Sequence, residues 1–306
     1  MLRIFHDTHY DFIRWWKVAV GITVAFIVIG IGDLALRGVN YSIEFTGGTL
    51  KQIQFVQKAP DAGQIRAALD GAGFHDAEIQ QFGTNNEYTL RVAGAQEVAA
   101  QSAGAERVSQ RVDSALTHAF GENNVKVLRT EAVGPRVGSE LRRNAMIAIA
   151  ISFLITLIYL AIRFEWRFGL AAVIATGHDV FTTLAFVKLL HLEISLTVVA
   201  ALLTVLGYSL NDTIIIFDRV REDLRKGRKE SLYDTLNRAI NETLPRSVLT
   251  HATTAAATLA LLLFAGEVIR PFAWVMLFGI VTGTFSSIYI AGPVLLWIEH
   301  KYPRAA

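Results

Sequence analysis

The sequence predicts an α-helical integral membrane protein with six transmembrane helices. A small α+β, ferredoxin-like extracytoplasmic domain is inserted between helices 1 and 2. Three observations carry the prediction. Mean hydropathy is +0.39, with 52% hydrophobic residues, and apolar runs long enough to cross a bilayer recur along the chain. A stretch with the alternation of a soluble domain separates the first run from the rest. The placement of basic residues between the runs is consistent with one topology. The formal net charge of +2 is too small to imply a nucleic-acid partner. Cys 0 excludes disulfides, thiolate catalysis and Cys-ligated metals, so the outer domain must stand on its own apolar core.

Residues 1–17 are short, polar and aromatic. Arg3, Arg14 and Lys17 place this end in the cytoplasm by the positive-inside rule, and Trp15-Trp16 reads as an interface anchor. Residues 18–36 form the first apolar run, interrupted late by Asp33. It is long for a signal peptide and lacks a following cleavage site, so it is expected to remain as a helix. Residues 1–37 are therefore assigned to the cytoplasmic N-terminus and helix 1. Residues 38–136 are assigned to the outer domain and 137–306 to helices 2–6.

Within the outer domain, Ile53 and Phe55 alternate with Gln52 and Gln54, the period of a half-buried strand. Residues 61–69 have helical spacing, stopped by Gly71 and Gly73. Ile79 and Phe82 mark a weak strand, Asn85-Asn86 a turn, and Tyr88, Leu90 and Val92 a clear strand. Residues 97–120 predict a long helix with Val108, Val112, Ala115 and Ala119 on one face. Val125 and Val127 open a last strand. The order strand, helix, strand, strand, helix, strand is the split βαβ order. His75 and His118 stand alone and are read as ordinary surface or core histidines. Two glycine-rich hinges flank the domain: Gly47-Gly48 before it, and Gly134 with Gly138 after it. The first lacks the Lys-Ser/Thr end of a phosphate loop and no ATP site is visible elsewhere.

Five further apolar runs cover about 145–162, 168–190, 194–217, 247–265 and 272–298. The joint 219–244 is hydrophilic and carries Arg219, Arg221, Arg225, Lys226, Arg228, Lys229 and Arg238. It reads as a cytoplasmic loop, which also places the C-terminus inside. Pro245 is expected to open the following helix.

The chemistry concentrates in the run that ends at Asp218-Arg219. Asn211 and Asp212 lie within it, and Asp212 is roughly 9 Å short of Asp218 at 1.5 Å per residue. A carboxylate in hydrocarbon costs roughly 3 kcal/mol or more, so it is expected to face a partner or a cavity and to act there. An interhelical hydrogen bond is the plainer reading, but Asn or Ser would supply that without an ionisable group. Thr204, Tyr208, Asn211, Ile215 and Asp218 share a helical spacing with this polar region. Arg246, entering from the same edge, is expected to reach toward Asp212 as its partner, with His251 in reserve. Asp212, Arg246 and Asn211 thus form the expected proton relay. His251, Asp179 and His178 are secondary relay candidates. Thr282, Gly283, Thr284, Ser286 and Ser287 read as a small-residue packing face.

Several long motifs resemble one family. Ala201-Leu202-Leu203-Thr204, Tyr208 to Thr213 and Phe217-Asp218-Arg219-Val220-Arg221-Glu222 are similar to the fourth transmembrane helix of the SecF branch of the SecD/SecF family. That branch comprises membrane subunits of the bacterial Sec preprotein translocation machinery. Leu236 to Ser247 with Thr253-Thr254, Phe45-Thr46-Gly47-Gly48, and Val133-Gly134-Pro135 with Val137-Gly138 resemble further family signatures. Ser42-Ile43-Glu44-Phe45 departs from the usual Gly-Ile-Asp-Phe but keeps a carboxylate. The resemblance implies half of an RND-type architecture in the bacterial cytoplasmic (inner) membrane, paired with SecD and associated with the Sec channel subunits. It implies assistance to translocating preprotein on the outer side, driven by the proton-motive force, with no cofactor and no enzymatic reaction. A proton-driven RND-like exporter of small molecules or lipids is the alternative, and a passive scaffold a third reading.

Overall fold

A computed structural model describes residues 8–57, 59–75, 77–82, 86–92, 104–226, 230–266 and 268–303. The chain divides into two compact units, Met1–Asn40 with Ala148–Ala306, and Tyr41–Ile147.

The unit Tyr41–Ile147 contains a short helix, Ile43–Thr46, and then strand β1, Gly48–Phe55. A helix at Ala62–Gly71, strands β2 (Glu78–Phe82) and β3 (Glu87–Val92), a helix at Gly104–Phe120 and strand β4 (Val125–Val133) follow. The strands form one sheet of order β2-β3-β1-β4, with every neighbouring pair antiparallel. That is the split βαβ strand order. Asp61 starts the first long helix with a capping box, accepting from Gln64 N at 2.8 Å while Gln64 Oε1 accepts from Asp61 N. Alternation then does the rest: Ile53, Phe55, Tyr88, Leu90 and Val92 point to one sheet face and meet Ile65, Leu69, Val108, Val112 and Leu116. Full burial of each large apolar side chain contributes about 1.5–3 kcal/mol. The buried face of the second helix is Val108, Val112 and Leu116; Ala119, expected on it, is exposed. The expected helical start at 97 and Asn85 of the expected turn lie outside the described residues. Lys51, on the core side of β1, is buried and meets Asp113 at 2.5 Å.

The two glycine motifs lie against each other inside this unit. Gly47 has φ +74° and Gly48 φ +135°, conformations that favour glycine. A Cβ on Gly47 would lie 2.8 Å from Pro135 Cα, and one on Gly138 would lie 2.9 Å from Gly47 N. Gly48 pairs with Val133 as β1 and β4 begin and end together.

The other unit is helical. Helices α1 (Trp16–Arg37), α5 (Pro135–Arg163, which starts in the first-described unit), α6 (Trp166–Leu189), α7 (Leu196–Arg225) and α8 (Leu232–Phe264) are followed by α9 (Arg270–Ser286), a π-helical turn Ser287–Ala291 and α10 (Gly292–Lys301); the helices of the other unit, Ile43–Thr46, Ala62–Gly71 and Gly104–Phe120, take the labels α2, α3 and α4. Among the described residues, six segments are long and apolar enough to cross a membrane. Helix α7 is the central one, packing on α6, α8 and α9. Small residues permit this: a Cβ on Gly279 would fall 2.1 Å from Val205 Cγ2, and one on Gly283 3.0 Å from Ser209 Cβ. Asp33, late in α1, is paired with Arg37 at 3.2 Å and with the buried Lys188 of α6 at 3.6 Å.

The joint between the fourth and fifth runs differs from the sequence expectation. Most of 219–244 is helix, because α7 continues to Arg225 and α8 already starts at Leu232. Pro245 lies inside α8 and does not open it. A proline there costs about 3 kcal/mol. Several features offset that cost. Ser231 caps α8 by accepting from Asp234 N at 3.1 Å. Buried Leu236, Ala239 and Ile240 give its first turns an apolar face. Asp223, buried on α7, accepts from Arg238 of α8 at 3.0 Å, and Arg219 pairs with Glu242 across the same helices. Asn237 and Asn241 also clasp the chain before α1. Asn241 Oδ1 accepts from Tyr10 N at 2.9 Å and its Nδ2 donates to Tyr10 O at 2.9 Å, while Asn237 Oδ1 accepts from Phe12 N at 3.1 Å.

Candidate functional site

Helix α7 turns Ser209, Asp212 and Thr213 inward, at spacings that share one helix face, and all three are buried. Each meets a different neighbour. Ser209 donates to Asp179 Oδ2 on α6. Thr213 Oγ1 lies 2.8 Å from Ser287 Oγ in the π-helical turn. Asp212 Oδ2 lies 3.4 Å from His251 Nε2 on α8. His251 Nδ1 in turn lies 2.6 Å from Thr284 Oγ1 on α9. Polar groups from four helices and the π-helical turn thus converge on the buried side of α7.

The two carboxylates are not equivalent. Asp179 has a partner at each oxygen: Oδ2 accepts from Ser286 Oγ at 2.7 Å as well as from Ser209, and Oδ1 is 3.0 Å from His178 Nδ1. Its exposure is 0%. Asp212, at 1% exposure, has the Ser247 hydroxyl of α8 facing its carboxyl, but its Oδ1 has no partner at full hydrogen-bond geometry among the described residues. Beside Asp212 is a small cavity bounded by Thr243, Ser247 and Thr284 and by Ile216, Ile240 and Ile288. A buried charged oxygen without a donor is costly, and protonation removes that cost. The two buried carboxyls thus differ in their partners: Asp179 is held by hydroxyl donors, whereas Asp212 keeps one oxygen without such a bond.

Two members of the expected relay make no direct contact with the Asp212 carboxyl, although the Arg246 charge acts on it through space. Arg246 is exposed, and among the described residues it makes no ion pair with Asp212. The reserve residue His251 occupies the partner position. The reason is helical phase: the five positions from Arg246 to His251 turn the helix by about 140°, so the two side chains leave α8 on different sides. Asn211, one position before Asp212, is also exposed. Thr204, Tyr208, Asn211, Ile215 and Asp218 share the outward side of α7, and the carboxylate is on the inward one. Tyr208 OH meets Thr254 Oγ1 at 3.2 Å along this outer side. His75 and His118 are exposed in the other unit. The sequence marks Ser286 only as part of a small-residue packing face and Ser209 only as part of a motif, so neither hydroxyl donor is picked out by it. Their recurrence one turn from Asp212 and beside Ser287 was the available signal. Among the described residues, no group of three or more His, Asp or Glu is placed to hold a metal ion.

Helical spans around an ionisable centre, with an inserted α+β domain, define a polytopic membrane protein of the transport class. The family model for the protein export membrane protein SecD/SecF, C-terminal, matches residues 112–301, and that for the SecD/SecF GG motif matches residues 34–59. The protein translocase subunit SecF of Gemmatimonas aurantiaca is 62% identical over 306 residues, covering 99% of this chain and 91% of that one. The SecF of Vibrio alginolyticus is 40% identical over 296 residues, covering 95% and 92%. The crystal structure of SecDF from Thermus thermophilus, a translocon-associated membrane protein, superposes with a TM-score of 0.83 at 33% identity. It matches 96% of this chain, which spans 39% of the SecDF chain. The chain belongs to the SecD/SecF family, as a SecF-type subunit of the Sec protein translocase, and is a multi-pass bacterial membrane protein.

Proposed function

We propose that the chain assists export of preproteins by coupling the proton-motive force to movement, and that Asp212 is the group that exchanges the proton. The bare Oδ1 of Asp212 beside a cavity is the observation that carries this reading. One charge moved across 100 mV is worth about 2.3 kcal/mol, enough to bias a two-state bundle roughly 40-fold. The energy comes from the proton gradient, with no bound cofactor and no catalysed reaction in this chain.

A SecD-like partner completes the machine. Asn211 is exposed within the apolar run of α7, and Arg246 at the edge of the run on α8, in this single chain. A second polytopic chain with a complementary carboxylate would pair the guanidinium and cover the amide. The partner is proposed to be SecD, with the Sec channel subunits and the translocating preprotein as further contacts. Both termini lie in the cytoplasm and residues 38–136 outside it, in the cytoplasmic membrane. The basic residues Arg219, Arg221, Arg225, Lys226 and Arg238 at the α7–α8 ends support this orientation.

Two measurements test the proposal. Mass spectrometry of complexes purified from native membranes is expected to recover SecD and channel subunits, and recovery of a periplasmic adaptor with an outer-membrane duct would contradict it. Because the chain has Cys 0, single cysteines report topology cleanly. His118→Cys is expected to react with an impermeant thiol reagent from outside intact cells, and Tyr302→Cys only after the inner face is opened.

A further inference from the structure

The end of α5 and the last turns of α7 leave between them a cavity of about 350 Å³, lined by Arg163, Asp218, Arg221, Glu222, Arg225 and Lys226. Four cations and two carboxylates give the lining a net charge of +2. Both carboxylates are already engaged. Asp218 accepts from Arg163 at 2.6 Å, with Arg221 at 3.5 Å. Glu222 meets Arg219 at 2.7 Å and Lys226 at 2.6 Å. Arg225 is exposed and, among the described residues, has no ion pair or hydrogen bond. The cavity is thus left with a surplus of positive charge, and Arg225 is its free donor.

The cavity lies where hydrocarbon gives way to headgroups. The apolar run of α5 ends at Ile162 and that of α7 at Phe217, and the first charges after them, Arg163 and Asp218, are paired with each other. Arg221 and Arg225 follow Asp218 by roughly 5 and 10 Å along α7 at 1.5 Å per residue. The headgroup layer on each side of the hydrocarbon is roughly 5–7 Å deep, and long basic side chains bend to that level. Aromatic rings mark it too. The Arg163 and Arg221 guanidiniums lie 5.2 and 5.3 Å from the centre of the Phe164 ring, and Trp166 is exposed close by in sequence. On the membrane side of the cavity, Ile155, Ile158, Tyr159 and Ile162 are exposed along one face of α5. That apolar strip stops one position before Arg163.

A basic cavity at the foot of an exposed apolar strip matches the two parts of a phospholipid, a phosphate and its acyl chains. Basic pockets between transmembrane helices recognise anionic headgroups in this way. We propose that the cavity binds the headgroup phosphate of an anionic phospholipid, with Arg225 as the free cation, Arg221 and Lys226 beside it, and the acyl chains along α5. A phosphatidylglycerol headgroup is net negative, whereas the phosphate of phosphatidylcholine is cancelled by its own ammonium. The surplus charge of the cavity therefore separates the two lipids. Each net positive charge near the membrane surface is worth about fivefold in affinity, so a net charge of +2 gives a preference of about 25-fold. In the orientation proposed above the lipid belongs to the inner leaflet, but its recognition is the same whichever side the cavity faces.

Because the chain has Cys 0, Ile162→Cys carries a single fluorophore at the foot of the strip. The labelled full chain is placed in vesicles of phosphatidylcholine and phosphatidylglycerol, with brominated acyl chains on one lipid or the other. Quenching then gives the relative affinity of the two lipids at this position. A preference for phosphatidylglycerol of about 25-fold is expected, falling about fivefold in Arg225→Gln and kept in Arg225→Lys. Arg225 has no bond to lose, so neither variant should disturb folding. Lys301, at the end of α10, lines no part of the cavity, and Lys301→Gln should keep the full preference. Equal quenching by both lipids in the labelled chain overturns the proposal. So does a loss in Lys301→Gln or Arg225→Lys as large as in Arg225→Gln, since the first would trace the preference to surface charge at large and the second to something other than the charge at 225. A preference erased by inorganic phosphate at constant ionic strength would assign the cavity to the free ion and overturn the lipid as its occupant.

Discussion

Asp179 and Asp212 show how little residue type alone determines. Both are aspartates at helix depth in apolar runs, and both are below 2% exposed. Two hydroxyls and an imidazole surround the first, whereas the second has an oxygen without a donor. Removal of the first should therefore be a stability event. Asp179→Ala strands the hydroxyls and His178 at about 1–3 kcal/mol for each buried group left unpaired, and a clear drop in Tm in detergent is expected. Asp179→Asn, whose amide oxygen still accepts both hydroxyls, should lose much less; equal losses would show that the hydroxyl bonds are unimportant. At the surface, Asp11 accepts from Tyr233 OH at 2.6 Å and Asn237 Nδ2 at 2.6 Å. These bonds, Tyr233 first, hold its carboxyl below the usual carboxylate range. A depressed folded pKa means its contribution is present above the ordinary value near about 4 and is lost as pH falls through the lower folded one. The clasp on residues 10–13 should thus open only in strong acid, read by amide hydrogen exchange at Phe12 and Ile13. Opening at neutral pH would contradict it.

At the scale of elements, the sequence made some features plain and concealed others for identifiable physical reasons. Apolar runs and strand alternation locate the spans and the sheet, because burial imposes those periods directly. The sheet face carrying Ile53, Phe55, Tyr88 and Leu90 is visible in the letters. Helix ends within polar sequence are not: α8 begins at Leu232 because long-range pairs such as Arg238–Asp223 and Asn241–Tyr10 support it. None of these is encoded by neighbours. For the site, an aspartate inside an apolar run was conspicuous, but its partner depended on which side of α8 each residue occupies. Arg246 has the charge and His251 the direction. The glycine motifs were legible as special backbone, while their mutual contact was not. Gly47→Ala is expected to destabilise the unit Tyr41–Ile147 by more than the about 1–2 kcal/mol of a left-handed residue, since its Cβ would also meet Pro135 Cα at 2.8 Å. Hydrogen exchange across β1 and β4 measures this, and wild-type protection in the variant would refute the tight contact.

For the whole molecule, α7 links the inward site to the outward surface. At 30 residues it is roughly 45 Å long at 1.5 Å per residue, longer than the roughly 30 Å of hydrocarbon. Its C-terminal part therefore projects with the start of α8, and the Asp223, Arg238, Arg219 and Glu242 pairs tie the two together. A change of charge at Asp212 acts on the helix that α6, α8 and α9 all pack against. That is how one proton could bias the arrangement of the bundle and, through the proposed SecD partner, a pull on an exported chain. For this to happen Asp212 must change protonation. Asp212→Asn is nearly isosteric and cannot ionise, so the variant should fold and assemble as the wild type does. The decisive measurement is preprotein transport in inverted vesicles carrying the variant, at constant ATP, with and without an uncoupler. The uncoupler-sensitive component is expected to disappear while the ATP-driven component remains; an uncoupler-sensitive component of wild-type size would leave Asp212 a structural residue.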